Sequence, residues 1–167
     1  ESIQTFLNMA LNEEDLVQVK EELTEAGYIH ARGPAGKKQR KIISRPYHYQ
    51  NDDGIDFYVG KNNYQNDELT FHFASGGDWW FHSKGAPGSH VILKSSGKKI
   101  PDSAFEDAAR LAGYYSAQRQ AGKAQIDYVQ KKEVKKPNGA KPGFVVYYTN
   151  YSMVIEPDIS HLHLADS

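Results

Sequence analysis

Thirteen residues from Asp78 to His90 bring together an acid, two imidazoles, an amine and a hydroxyl: Asp78, His82, Lys84, Ser89 and His90. Acid, imidazole and hydroxyl form a catalytic relay only when geometry joins them. The chain has no nucleophile elbow, no HExxH and no phosphate-binding loop. An RNA-processing enzyme using Asp78, His82 and His90 is therefore an alternative, and the chain is expected to be non-catalytic. The same stretch supports a second chemistry. Trp79, Trp80 and Phe81 interleave with the polar groups, a mixture that stacks on planar rings and hydrogen-bonds their edges. In the plainest reading one aromatic set is core, Ser89 caps a turn and His82 holds a backbone carbonyl.

A nucleic acid would also require positive charge. Three basic loops, at residues 30–45, 94–99 and 131–141, are separated by aromatic-rich runs. Lys132, Lys135, Lys136 and Lys141 are expected to be exposed and to meet phosphates, as are Lys61 and Lys84. His82 and His90 are expected to line the same surface beside one exposed aromatic, gaining charge at mildly acid pH. Net charge is −1, but residues 1–29 carry one Lys against seven acids and the remainder 19 basic against 14 acidic residues. An acidic leader on a basic body is compatible with nucleic-acid binding by the body.

The positioning elements follow from periodicity. Residues 79–81 and 90–93 are aromatic or β-branched and read as two strands. Alternation sets Trp79 and Phe81 on one face and Trp80 beside His82 on the other; the first pair is expected toward the core, with the reverse assignment as the alternative. Between the strands, Pro87-Gly88 suits a tight turn with Gly at positive φ. Further strands are expected from residue 42 through Tyr47 and Tyr49, over 55–59 and 69–74, and over 124–129. Residues 144–149 and 153–155 are expected to form a closing hairpin. One long helix is expected over about residues 103–120, with Ala104, Ala108 and Ala112 facing the sheet. Between strands, Gly60, Asn62, Asn63, Asn66 and Asp67 are turn formers. One or two of the amides are candidates for a base edge or phosphate. The expected fold is α+β, a largely antiparallel sheet of seven or eight short strands covered by one long helix.

The boundaries read as a helical segment at 1–29, a basic linker at 30–41, a globular domain at 42–157 and a tail at 158–167. Zero Cys excludes disulfides and Cys-ligated zinc and fits a reducing compartment. No run of 18 apolar residues spans a membrane, and no signal-peptide core follows Glu1. The chain reads as a fragment of a longer protein. His161 and His163 share one strand face, but no cofactor or metal is expected.

Several stretches carry a family resemblance, Val134-Lys135-Lys136 and Lys141-Pro142-Gly143 among them. Asp78, Trp80, Phe81 and His82, followed by Pro87, Gly88, Ser89, His90 and Val91, resemble the signature of the NFACT-R domain. That domain is the RNA-binding part of the RqcH family, also called fibronectin-binding protein A. The Gly60, Asn62, Asn63, Asn66, Asp67, Leu69, Thr70 series and the run from Ala108 to Ser116 resemble it too. The resemblance covers about residues 42–157, with 1–29 similar to the end of the preceding coiled coil. It implies a cytoplasmic factor that binds tRNA and large-subunit rRNA on stalled large ribosomal subunits and supports alanine tailing of blocked nascent chains. The implied RNA-binding set is Lys61, Asn62, Asn63, Trp80, His82, Lys84, Ser89, His90, Lys132, Lys135, Lys136 and Lys141. A fibronectin-binding adhesin fragment is the alternative that the older family name suggests.

Overall fold

A computed structural model describes residues 44–165. The expected helical segment at 1–29 and the linker at 30–41 lie outside the described residues. Seven strands form one sheet: β1 (Tyr47–Gln50), β2 (Asp56–Val59), β3 (Trp79–Ser83), β4 (Val91–Leu93), β5 (Ala124–Gln130), β6 (Tyr151–Ile155) and β7 (His163–Leu164). Their spatial order is β6-β5-β3-β4-β2-β1-β7, and every neighbouring pair is antiparallel. Among the described residues two α-helices accompany them, α1 (Asn63–Glu68) and α2 (Asp102–Tyr114). The class is α+β.

The β1–β2 hairpin closes at Asn51, whose side-chain oxygen accepts the Asp53 and Ile55 N–H groups at 3.0 and 3.1 Å, as an Asx turn does. In β3 the alternation holds. Phe81 and part of Trp79 pack toward α2 with Phe57, Val91, Leu93 and Ile126, whereas Trp80 packs on the opposite face with Ile92 and Val129. Ala104, Ala108 and Ala112 of α2 are all fully buried, and their lack of bulk lets the helix lie close on the sheet.

Four expectations are corrected. Residues 69–74 are not a strand: α1 continues into a π-helical turn over Leu69–Phe73, closed by the Ala74 N–H on the Leu69 carbonyl at 2.8 Å. Asn62 starts this helical run by accepting the Gln65 N–H at 2.9 Å, so capping upstream overrides a five-residue alternation. The helix α2 ends at Tyr114 rather than near 120, because Ser116 turns its hydroxyl onto the Gly113 carbonyl at 2.8 Å and pairs its backbone with Gly88.

Residues 144–149 form no hairpin with β6, which pairs with β5 instead. They fold back along the second face, where Val146 exchanges two 2.9 Å backbone hydrogen bonds with Lys135. Finally, Gly88 does not occupy positive φ; in that loop Gly85 does, at 65°. Gly88 is small because a Cβ there would stand 2.7 Å from that of Ser116. The tail contributes β7, paired with β1.

Candidate nucleic-acid interface

On the sheet face opposite α2, the chain leaves a cleft of about 310 Å³. Trp80, His82 and His90 form its floor, Asn63 one wall, and Phe144 with Tyr147 another; residues 86–88 close the rim. The rings are ordered against one another. Trp80 and His82 lie nearly parallel (5.7 Å, 10°), and both meet His90 edge-on, at 5.1 and 5.6 Å. Tyr147 sits 4.9 Å from the Trp80 ring and donates its hydroxyl to Asp127 at 2.8 Å. Asp127 lies opposite His82 in the β3–β5 register and also accepts the Ser152 hydroxyl at 2.8 Å.

The asparagine-rich turn builds one wall of this cleft. Asn66 accepts the His90 backbone N–H at 3.0 Å and donates to Asn63 Oδ1 at 3.3 Å. Thr70 Oγ1 lies 2.8 Å from His90 Nδ1. A Cβ on Gly60 would stand 2.0 Å from Asn66 Oδ1, so this approach requires glycine. Asp67 accepts the Gly143 N–H at 2.9 Å and pairs with Lys136 at 3.1 Å, tying the far wall down. At Gly143 (φ +84°) a Cβ would lie 2.3 Å from Asn63 Oδ1.

Burial in the cleft drives His90 well below the usual imidazole range; His82 and Lys136 add to this, against backbone contacts from Gly143 and Asn66. Desolvation likewise lowers His82, against the Ser83 and Gly88 backbone and the Asp127 carboxylate. The cleft is thus lined by neutral imidazoles. Two donors within it are buried without an acceptor among the described residues, Trp80 Nε1 and Asn63 Nδ2. Each such group costs about 1–3 kcal/mol.

The implied binding residues divide by position. Trp80, His82, His90 and Asn63 converge on the cleft. Trp80 and His90 are buried at 1% and 2% exposure and His82 is half-buried, so the expected exposed aromatic beside the histidines is corrected: the groups form a recessed floor. Ser89 is buried, with its N–H on the Tyr115 carbonyl at 2.9 Å. Asn62 is the helix cap. Lys61 lies over the Tyr47 ring at 4.7 Å. Lys84 is exposed, 3.9 Å from Asp127. Lys132, Lys135 and Lys141 are exposed, but Lys136 is not free as expected. Its ammonium donates to the Lys141 and Phe144 carbonyls at 2.6 and 3.2 Å besides pairing with Asp67.

Asp78 does not join the histidines. Its oxygens take the Ser75 and Ser95 N–H groups and Lys94 at 2.6–2.9 Å, stitching the loop before β3 to the loop after β4. Burial raises its carboxyl, but these partners outweigh that and hold it below the usual range. Sequence reasoning missed Tyr147, Gly143 and Asp127 as members of this region. The signal was the aromatic run 144–148 beside a Pro-Gly pair, which a strand assignment absorbed.

Residues 45–149 match the family model described as NFACT protein RNA binding domain. A protein of Streptococcus pneumoniae (strain D39), named Rqc2 homolog RqcH, is 40% identical over 159 residues, covering 95% of this chain and 28% of that protein. A Bacillus subtilis protein of the same name is 37% identical over 145 residues, 86% of this chain and 25% of that protein. The chain therefore spans about a quarter of the length of these relatives. A solved structure, the C-terminal of the fibronectin/fibrinogen-binding protein from Streptococcus suis, superposes with a TM-score of 0.75 at 36% identity, covering 95% of this chain and 62% of that one. With residues 45–149 matched, the chain belongs to the NFACT protein RNA-binding domain family.

Proposed function

We propose that this chain is the RNA-binding module of a ribosome quality-control factor that associates with stalled large ribosomal subunits and tRNA and supports C-terminal alanine tailing of blocked nascent chains in the cytoplasm. The observation that carries the reading is the match of residues 45–149 to an RNA-binding family, joined to relatives named Rqc2 homologs. The module binds rather than reacts. Asp78 is spent on Ser75, Lys94 and Ser95, and Asp127 on Tyr147 and Ser152, which leaves His82 and His90 without a relay. No helix among the described residues is long and apolar enough to cross a membrane.

Charge divides the work. Residues 44–165 carry 14 Lys and Arg against 13 Asp and Glu, whereas residues 30–43 carry five basic residues and no acid. Phosphate attraction therefore rests on that basic segment and on Lys132, Lys135 and Lys141. Titrating the chain with tRNA and with fibronectin at roughly 50 and 200 mM salt tests the reading, since each phosphate contact adds about 0.7–0.9 to the log–log slope. The expected result is a steep slope for RNA that falls when Arg32, Lys37, Lys38, Arg40 and Lys41 become Gln. Salt-insensitive binding of fibronectin with none of RNA would overturn it and favour the adhesin.

A further inference from the structure

Two side chains of the cleft, Asn63 and Trp80, each keep a buried donor with no acceptor among the described residues, one that an occupant reaches only as the wall gives way. Trp80 Nε1 and Asn63 Nδ2 are both buried and unpartnered among the described residues, and both side chains line the same cavity. Asn63 is fixed from behind, its carbonyl oxygen held by Asn66 and its amide plane covered by Gly143. An occupant must therefore present acceptors. A buried donor without one is rare in folded proteins, and a ligand group supplying it recovers a hydrogen bond the fold leaves unmade.

We propose that this cleft captures a single unpaired nucleobase, guanine or uracil, through an edge that carries acceptors. It rests on the RNA-binding reading above and names the part of the RNA that is read. Size selects one residue of RNA, since about 310 Å³ is at the low end of small-ligand cavities, which run from roughly 300 to 1,000 Å³. The walls suit a flat ring: Trp80 and His82 present nearly parallel aromatic rings, and Phe144, 48% exposed, stands at the mouth.

Charge decides between base and phosphate. The cationic group nearest the far wall, Lys136, is engaged by Asp67 and two carbonyls, and burial disfavours protonation of both histidines. Neutral donors in an aromatic cleft match ring carbonyls and ring nitrogens better than a dianionic oxygen cluster. A peptide is a poorer fit, because each amide brings an N–H, and the Asp127 carboxylate beneath the cleft is already taken by Tyr147 and Ser152. Among bases, guanine offers N7 with O6, and uracil offers O4, where adenine and cytosine place an amino donor.

The test follows the indole N–H resonances of the 167-residue chain by ¹H–¹⁵N NMR, assigned with Trp79→Phe, during titration with short oligouridylate, oligocytidylate, duplex RNA and an alanine peptide. Expected is a shift of the Trp80 indole with oligouridylate, none of comparable size with duplex or oligocytidylate, and an unmoved Trp79 indole. Asn63→Asp, which keeps shape and the bond from Asn66 but removes the donor, should weaken oligouridylate binding about tenfold and leave duplex binding unchanged. RNA binding with a still Trp80 indole, or equal response to all RNAs, overturns the pocket and leaves the RNA-binding module standing. Absence of all RNA binding overturns both. A Trp80 shift produced by the alanine peptide alone assigns the cleft to peptide instead and also overturns the proposal.

Discussion

Two adjacent tryptophans open onto two different hollows. Trp79 faces a groove of about 480 Å³ walled by Phe105, Tyr128, Tyr151 and Met153, with Asp102 and Glu106 at its edge. Trp80 faces the smaller cleft of about 310 Å³ on the other side of the sheet. In the larger groove the rings satisfy one another. Trp79 meets Phe105 edge-on at 4.9 Å and lies 6.0 and 6.1 Å from Tyr128 and Tyr151. Its acids repel a phosphate chain. In the smaller cleft two donors are left over among the described residues, the histidines are held neutral, and the lining carries no acid. Size alone favours the larger hollow; unsatisfied polarity and a lining without acids favour the smaller one as the proposed base site.

The sharpest break of this comparison is in stability. Trp80 is 1% exposed and packs on Leu69, Ile92, Val129 and Val134, so Trp80→Ala should cost about 3–5 kcal/mol. Trp79 is only partly buried, and Trp79→Ala should cost roughly half as much while leaving RNA affinity in place. Chemical denaturation of both variants, with RNA titration of the folded fractions, checks the pair. Equal costs would mean that the two faces are not energetically distinct, and loss of RNA binding in Trp79→Ala would move the interface to the larger groove.

The difference between the faces was half legible in the sequence. Alternation in β3 assigned Trp79 with Phe81 and Trp80 with His82 because one residue per pleat is a strong constraint. The Ala104, Ala108 and Ala112 spacing likewise marked the covering helix. What periodicity could not give was the far wall of the cleft. Residues 134–147 follow no regular period; they are held by Asp67 through Gly143 and Lys136, partners 76 and 69 residues away. Residues 69–74 failed for a related reason, since Leu69, Phe71 and Phe73 fit a strand and a helical turn equally well. Only the cap at Asn62 distinguishes them. Strand order was likewise illegible, because antiparallel strands of two to seven residues carry no sequence mark of their neighbours.

A second contrast between the faces is proton linkage. The Trp80 face holds the half-buried His82 and the buried His90, whose folded-state pKa values both lie below the usual 6.5; the Trp79 groove has no histidine in its lining. Around His90 stand Thr70, Asn66, His82 and Lys136, and around His82 the Asp127 carboxylate with the Ser83 and Gly88 backbone. The unfolded chain takes up these protons first as pH falls. The stabilisation is complete above about pH 6.5 and is lost progressively below it, toward the lower folded-state values, by up to about 1.4 kcal/mol per pH unit for each fully linked group. Protonation therefore opposes the fold instead of strengthening phosphate contact. Denaturation midpoints between pH 7.5 and 5 should fall more steeply for the natural chain than for a His82→Asn, His90→Asn variant. Parallel slopes would show that these imidazoles titrate normally in the folded protein.

The smallest contrast lies within the lysine-rich wall, and it separates holding the cleft from serving it. Lys136 and Lys135 are neighbours in sequence with opposite duties. Lys136, 28% exposed, links Asp67 on α1 to the Lys141 and Phe144 carbonyls, so it fastens one wall of the cleft to the other. Partial exposure screens the ion pair, and the two carbonyl bonds add net hydrogen-bond strength, for a combined cost of about 1 kcal/mol in Lys136→Ala. Lys135 is exposed and reaches only the Lys132 carbonyl, at 3.2 Å. Its removal should change stability by less than about 0.5 kcal/mol and lower the salt slope of RNA binding by about one phosphate contact's worth, 0.7–0.9. Lys136→Ala should do the reverse: a lower melting temperature with the slope preserved, because its charge is already neutralised by Asp67. Melting curves and salt titrations of the two single variants decide it. If Lys136→Ala flattens the slope while Lys135→Ala leaves it alone, the ammonium of Lys136 leaves Asp67 for phosphate on binding, and the wall opens as RNA arrives.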